Sequence, residues 1–117
     1  MADHETCLNQ LFVNAGQIMD KLGDTFTTYA FIRLLAQREQ AVYITLLMQY
    51  VEEKKPFIAA NNAIETRLQE VAPHYGYLRA EERTLDTDIF GKLQKVALYR
   101  RVSDLVASDA IDGHDTP

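Results

Sequence analysis

The first half of the chain carries apolar side chains at helical spacing. Between residues 5 and 22 they fall within a sector of about 140° when each residue advances by 100°. This pattern predicts one amphipathic helix over residues 5–22, and Gly23 follows it where a left-handed residue often ends a helix. The apolar stripe of this helix faces either the rest of the domain or a partner.

The next apolar segment predicts two helices separated by a break. A turn over residues 24–28 comes first, and Thr25 or Thr27 caps the helix that follows. Propensity alone would allow one helix over residues 28–51. Continued straight, however, that helix places Glu39 in the middle of its apolar stripe, so we predict that it breaks near Glu39 and that a third helix starts there.

A fourth helix is predicted over residues 56–71. A charged turn at residues 52–55 precedes it, and Pro56 suits the first helical position, where its missing N–H would be unpaired in any case. Ala72-Pro73 ends it. The helical phases together predict a core, which consists of Phe31, Leu35, Leu46, Leu47, Phe57, Ile64 and Leu68, covered by Leu11 and Ile18.

The pattern weakens after Tyr75 and favours a two-stranded ribbon. Residues 96–102 combine β-branched and aromatic side chains, and residues 77–85 are the predicted partner strand. A helix competes for residues 78–83, where propensity is high. We favour the ribbon because the apolar residues from 90 to 106 do not share one helical face. The loop between the strands contains the turn residues Asp86, Asp88 and Gly91.

These elements predict a mainly α fold of the α+β class. Four helices followed by a β-hairpin give a winged-helix-like order. A chain of 117 residues is expected to form a single domain over residues 1–117, with residues 1–4 and about 107–117 flexible.

Charge is distributed unevenly around a net value of −5. Residues 1–53 carry three basic and seven acidic side chains, a net of −4. Residues 54–102 carry nine basic and six acidic side chains, a net of +3, whereas residues 103–117 carry four aspartates and no basic side chain. A basic middle between acidic ends permits a local anion-binding surface.

Three segments carry a resemblance to a known family. They are FTTYAFIRLLAQREQAVYITLLMQY, then PFIAANNAIETRLQEV, then TDIFGKLQKVALYRRV, in which the loop from Thr87 to Gly91 is the most distinctive part. The region from about residue 26 to residue 102 resembles short uncharacterised bacterial proteins in which a helical half precedes a hairpin with a loop of this type. The resemblance implies a winged-helix-like arrangement and supplies no catalytic residue.

No cluster of residues indicates catalysis, a metal or a cofactor. The histidines are scattered, no HExxH, CxxC or glycine-rich phosphate loop is present, and Cys7 lies on the apolar stripe as a core residue. The acidic pairs at residues 52–53 and 81–82 are expected to be solvated, and Asp86 and Asp88 to cap turns. We therefore expect no enzyme and no cofactor. The lack of a signal peptide or long apolar run predicts a cytoplasmic protein that does not contact a membrane.

Nucleic-acid binding is the sharper functional hypothesis. In a winged helix the last helix enters the major groove and the ribbon lies along the backbone. Side chains of residues 56–71 would then contact bases, and basic side chains nearby would contact phosphates. The predicted contacts to double-stranded DNA are Asn62, Thr66 and Gln69 with Arg67 on the flank, and Lys54, Lys55, Arg79, Arg83, Lys92 and Lys95 for the phosphates.

A protein-interaction role is the competing hypothesis. Six tyrosines together with Val13, Ile58 and Ala59 could form an apolar and aromatic contact surface. A homodimer through residues 5–22 would suit either hypothesis. In this alternative the chain is a structural or accessory module of a larger assembly and makes no DNA contact.

Overall fold

The computed structural model describes residues 4–102 and shows an α+β fold. Within this range five α-helices, one 3₁₀-helix and a three-stranded antiparallel sheet are present. The predicted flexibility of residues 107–117 and of residues 1–3 lies outside the described range, whereas His4 belongs to the first helix. The elements are α1 His4–Leu11, α2 Ala15–Leu22, β1 Thr25–Thr27, α3 Thr28–Arg38, α4 Gln40–Met48, α5 Pro56–Val71, a 3₁₀-helix Ala72–Tyr75, β2 Tyr77–Thr87 and β3 Leu93–Arg101.

The predicted single helix over residues 5–22 is wrong, because a tight turn divides it into α1 and α2. The amide of Val13 donates to the Gln10 carbonyl oxygen at 3.3 Å, and the amide of Ala15 donates to the Phe12 carbonyl oxygen at 3.1 Å. These i→i+3 bonds replace the α-helical ladder for one turn. Both halves nevertheless turn their predicted apolar side chains into the protein's own core.

The predicted turn at residues 24–28 is also wrong, because Thr25–Thr27 forms β1. Phe26 of β1 lies opposite Tyr99 of β3, and the strand order β1-β3-β2 gives three strands in place of the predicted two-stranded ribbon. The Thr27 side chain then accepts a hydrogen bond from the amide of Ala30 at 2.9 Å. Thr27 therefore ends a strand and caps α3, which confirms one of the two predicted caps.

The break near Glu39 and the bounds of α5 are confirmed. Glu39 has φ −116° and ψ 51°, outside the helical region, so α3 ends at Arg38 and α4 begins at Gln40. The helix α5 spans Pro56–Val71 as predicted.

The core lies between the helices and one face of the sheet. Phe26 packs against the rings of Phe31, Tyr77 and Tyr99, with centroid distances of 5.0–6.0 Å. Of the predicted core, Leu47 is only half-buried and Phe57 is 37% exposed. The other predicted members are buried, namely Leu11, Ile18, Phe31, Leu35, Leu46, Ile64 and Leu68.

Candidate nucleic-acid interface

The helix α5 has one buried face and one face open to solvent. Ala60, Ile64 and Leu68 are fully buried and fix the rotation of the helix about its axis. The opposite face is therefore exposed. The three side chains that the sequence predicts to contact bases all lie on this exposed face, namely Asn62, Thr66 and Gln69.

The β2–β3 ribbon presents three of the predicted cations on one face. Arg79 lies opposite Tyr99 and Arg83 lies opposite Ala97. Directly opposed residues point to the same side of a sheet, and alternate residues of one strand do so as well. Lys95, two residues before Ala97 on β3, therefore shares this face with Arg79 and Arg83, and all three side chains are exposed.

The hairpin adjoins α5 at its tip, where the rings of Phe57 and Phe90 lie 5.1 Å apart, and charges on both elements act on Tyr99 and Tyr29. Burial raises the pKa of Tyr99 to about 12, the positive charge of Arg79 opposes this rise, and the negative charge of Glu65 on α5 adds to it. Burial also raises the pKa of Tyr29, where Arg83 and Glu65 again act with opposite signs. Glu65 thus lies near enough to act on both tyrosines. We call the surface formed by the open face of α5 and this face of the ribbon the α5–ribbon surface.

Among the residues that the structure describes, the six cations predicted to contact phosphates form no ion pair. Within residues 4–102 no carboxylate lies within 4.0 Å of any of these side chains, and all of them are exposed. They are therefore available to an external anion. The six residues are Lys54, Lys55, Arg79, Arg83, Lys92 and Lys95.

Arg67, in contrast, is held inside the fold. Its Nη2 lies 2.6 Å from Glu5 Oε2, its Nη1 donates to Asn9 Oδ1 at 2.8 Å, and its Nε lies 3.5 Å from Glu70 Oε1. The side chain is only 15% exposed. Arg67 thus connects α5 to α1 and does not join the other predicted contacts.

Asp88 organises the loop at the tip of the ribbon. Its Oδ1 accepts hydrogen bonds from the amides of Phe90 and Lys92, each at 2.9 Å, and its Oδ2 accepts from Gln94 Nε2 at 3.3 Å. These bonds, with the one from the Lys92 amide first, lower the pKa of Asp88. Gly91 has φ 81°, a left-handed conformation that suits glycine. The carboxylate is therefore a turn cap, as the sequence predicts.

Asp86 joins the base of the loop to β1 and α3. Its Oδ2 accepts from the hydroxyl of Thr27 and lies 3.3 Å from Arg33 Nη2, and its Oδ1 accepts from the Thr87 amide at 2.7 Å. Burial alone would raise the pKa of Asp86, but these hydrogen bonds and the Arg33 charge lower it below its usual value. Arg33 also donates to the Thr87 carbonyl oxygen. Both loop aspartates are thus held by the fold.

A pocket of about 480 Å³ lies between the loop and the start of α5. The rings of Phe57 and Phe90 meet edge to face at its wall, with their centroids 5.1 Å apart. The sequence pattern does not predict this pocket, because it places Phe57 in the core and Phe90 in a loop. The lining residues are Tyr29, Lys55, Pro56, Phe57, Ile58, Asn61, Asn62, Asp88, Ile89, Phe90, Lys92 and Gln94.

A second exposed surface lies on α4, which is apolar around most of its circumference. Ala41, Ile44, Met48 and Val51 are spaced at i, i+3, i+7 and i+10, and all four are exposed. The amide of Val51 donates to the Met48 carbonyl oxygen, so Val51 lies almost above Met48. This spacing is typical of a seam between two helices. We call these four residues the α4 stripe, of which Val51 lies in the turn that follows the helix.

The apolar stripe of α1 and α2 is not available in the same way. Cys7, Leu11, Ile18 and Met19 are all fully buried in the chain's own core. The inward alternative for residues 5–22 is therefore the one the structure shows. A homodimer through these residues would have to use their polar side and Val13, which is 71% exposed.

Comparisons with protein-family models, with curated proteins and with solved structures found no match to this chain. Among residues 4–102, no helix combines the length and the apolar character that crossing a bilayer requires. Within the same range, no three His, Cys, Asp or Glu side chains are grouped so that they could hold a metal ion.

Proposed function

We propose that this protein is a small, non-catalytic nucleic-acid-binding or accessory regulatory module of winged-helix type, which contacts double-stranded DNA through the α5–ribbon surface. The observation that carries the proposal is which basic side chains form ion pairs within the protein and which do not. The six on elements flanking α5 have no internal ion pair among the described residues, whereas Arg67, which packs against α1, is fully engaged. Unpaired cations on the elements beside α5 suit a phosphate backbone.

The order of the elements supports the winged-helix part of the proposal. Helices precede β1, helices separate β1 from β2, and a hairpin follows the last helix. The first strand pairs with the last, which gives the order β1-β3-β2. In a winged helix these features place the last helix against the groove and the hairpin beside it. Here α5 would be the recognition helix, with α4 as an additional helix before it.

Charge around the surface supports a localised contact. The net charge of +3 in residues 54–102 contrasts with −4 in residues 1–53. An acidic remainder repels nucleic acid at long range. Binding should then be confined to the α5–ribbon surface, and it should weaken steeply with added salt.

Titration of the pure protein with mixed-sequence duplex DNA at low salt tests the proposal. We expect saturable binding in the micromolar range or tighter, lost as salt is raised, because phosphate contacts supply most non-specific affinity. Absence of binding at tens of micromolar protein would overturn it.

A second candidate function is protein interaction through the α4 stripe. Ile44, Met48 and Val51 are each more than half exposed, although a helix that is apolar all round is normally buried. We propose a second copy of the chain as the partner of this seam, as an alternative in which the module serves an assembly without touching DNA. Sedimentation equilibrium of the wild type and of Ile44→Glu tests it, and a wild-type monomer at all concentrations would overturn it.

A further inference from the structure

We infer that the pocket between the loop and α5 holds one unstacked nucleobase from a single-stranded part of the bound nucleic acid. This inference rests on the proposed function and names the part of the nucleic acid that the site selects. It would direct the protein to strand ends, gaps or loops in preference to continuous duplex.

The aromatic content of the pocket is the first argument. Its volume of about 480 Å³ is in the range of small-molecule sites. Phe57 is 37% exposed and Phe90 is 68% exposed, so two phenyl rings face solvent at the wall of a concave site, and Tyr29 lines the same site. Bases taken out of a stack bind to protein mainly by packing on aromatic side chains.

The polar groups in the pocket match the edge of a base. Asn61 Oδ1 accepts a hydrogen bond from the Tyr43 hydroxyl at 2.9 Å, which leaves the Asn61 amide N–H groups as donors. Gln94 Nε2 donates to Asp88, which leaves Gln94 Oε1 as an acceptor. Asn62 adds a further amide at the wall. The pocket thus offers both donors and acceptors, and the edge of a base requires both.

The rim of the pocket carries the charge that a nucleotide requires. Lys55 and Lys92 both line the pocket, and neither has an ion pair among residues 4–102. They can contact the phosphates on either side of the base. Asp88 also lines the pocket, but its carboxylate is occupied by three hydrogen bonds of the loop. A base within intact duplex must first be unstacked and unpaired, which costs free energy, so entry is favoured at a single-stranded position.

The test compares a blunt duplex, the same duplex with a short overhang that carries 2-aminopurine, and the free 2-aminopurine mononucleotide. We expect about 5- to 150-fold tighter binding of the overhang duplex than of the blunt duplex, which is the usual gain for stacking one base on an aromatic side chain. The 2-aminopurine fluorescence should change on binding, because the base moves from solvent onto a ring.

Phe90→Ala is the diagnostic variant. The side chain is 68% exposed and packs on the ring of Phe57, so its truncation should lower the melting temperature only slightly and leave the fold intact. It should bring binding of the overhang duplex down to the level of the blunt duplex, which itself stays unchanged. Leu93→Ala is the matched control, because Leu93 is 60% exposed on the same hairpin and does not line the pocket. It should alter neither affinity.

Three outcomes would overturn the inference in different ways. Equal affinity for blunt and overhang duplexes would refute the pocket occupant and leave the proposed function standing. Mononucleotide binding as tight as overhang binding would show that the occupant is a free nucleotide and not part of a strand. No binding of any nucleic acid at tens of micromolar would refute the proposed function itself, and the inference with it.

Discussion

The proposed DNA binding should depend on salt in a way that follows from the number of unpaired cations. Each cation that contacts a phosphate contributes about 0.9 to the slope of log affinity against log salt for duplex DNA. If the six free cations contact one phosphate each, the slope is about −5.4. Affinity should then fall about 2,000-fold between about 50 and 200 mM salt.

Two double variants and one control distinguish phosphate contacts by particular cations from a general effect of the protein's net charge. Lys54→Ala with Lys55→Ala, or Arg79→Ala with Arg83→Ala, removes two contacts and should reduce the slope to about −3.6, so that the same change in salt costs only about 150-fold. Binding should weaken for all sequences alike. Arg67→Ala removes one positive charge that is already paired with Glu5 and Glu70, so it should leave the slope unchanged.

Fluorescence anisotropy of a labelled mixed-sequence duplex, titrated at several salt concentrations, measures the slope. Arg67→Ala should instead lower the melting temperature, since Glu5 and Asn9 lose their shared partner on α5. If Arg67→Ala flattened the slope as much as either double variant, or if neither double variant flattened it, the assignment of phosphate contacts would be wrong.

Three further predictions concern single side chains. Leu46→Ala or Ile64→Ala should cost about 2–5 kcal/mol in denaturant unfolding, because both side chains are fully buried, and an unchanged midpoint would contradict their place in the core. Burial raises the pKa of Tyr99 to about 12, so its contribution to stability is complete below about pH 10 and is lost as the pH rises through about 12. Unfolding followed across this range should therefore show a weaker loss of stability in Tyr99→Phe than in the wild type. Asn62→Ala should change the sequences recovered by selection from random duplexes while it leaves the salt slope unaltered, and unchanged preference would remove Asn62 from base contact.

Features set by neighbouring residues could be predicted from the sequence. Pro56 marks the start of α5, a threonine caps α3, and Glu39 interrupts an apolar stripe that could not continue past it. Each of these signals acts within one helical turn. The bounds of α5 therefore agree with the structure, and so do the three polar side chains on its open face.

Features set by distant partners could not be predicted. The strand β1 has only three residues, and it exists because β3 offers it a free edge more than 70 positions later. The position of Arg67 along α5 predicts a contact at the flank of the exposed face. Its actual partners, Glu5 and Asn9, lie 62 and 58 residues earlier, so the sequence near Arg67 gives no sign of them. The apolar residues before and after the turn at Phe12–Asn14 fit the spacing of one continuous helix. The spacing of apolar residues therefore cannot reveal this turn. Phe57 lies on the same side of α5 as the buried residues. It belongs to the first turn of the helix, however, and there its side chain is 37% exposed.

The two candidate functions use different surfaces, so each surface can be tested independently, and a dimer through the α4 stripe does not by itself exclude DNA contact. The α4 stripe is apolar and lies on another helix than the cationic side chains, none of which belongs to α4. A dimer formed through α4 would present two α5–ribbon surfaces, and binding to DNA with two half-sites would then depend on protein concentration. Ile44→Glu should abolish that dependence while the salt slope per protomer stays unchanged. If Ile44→Glu flattened the slope as the lysine variants do, α4 would belong to the nucleic-acid contact itself, and the separation of the two surfaces would be wrong.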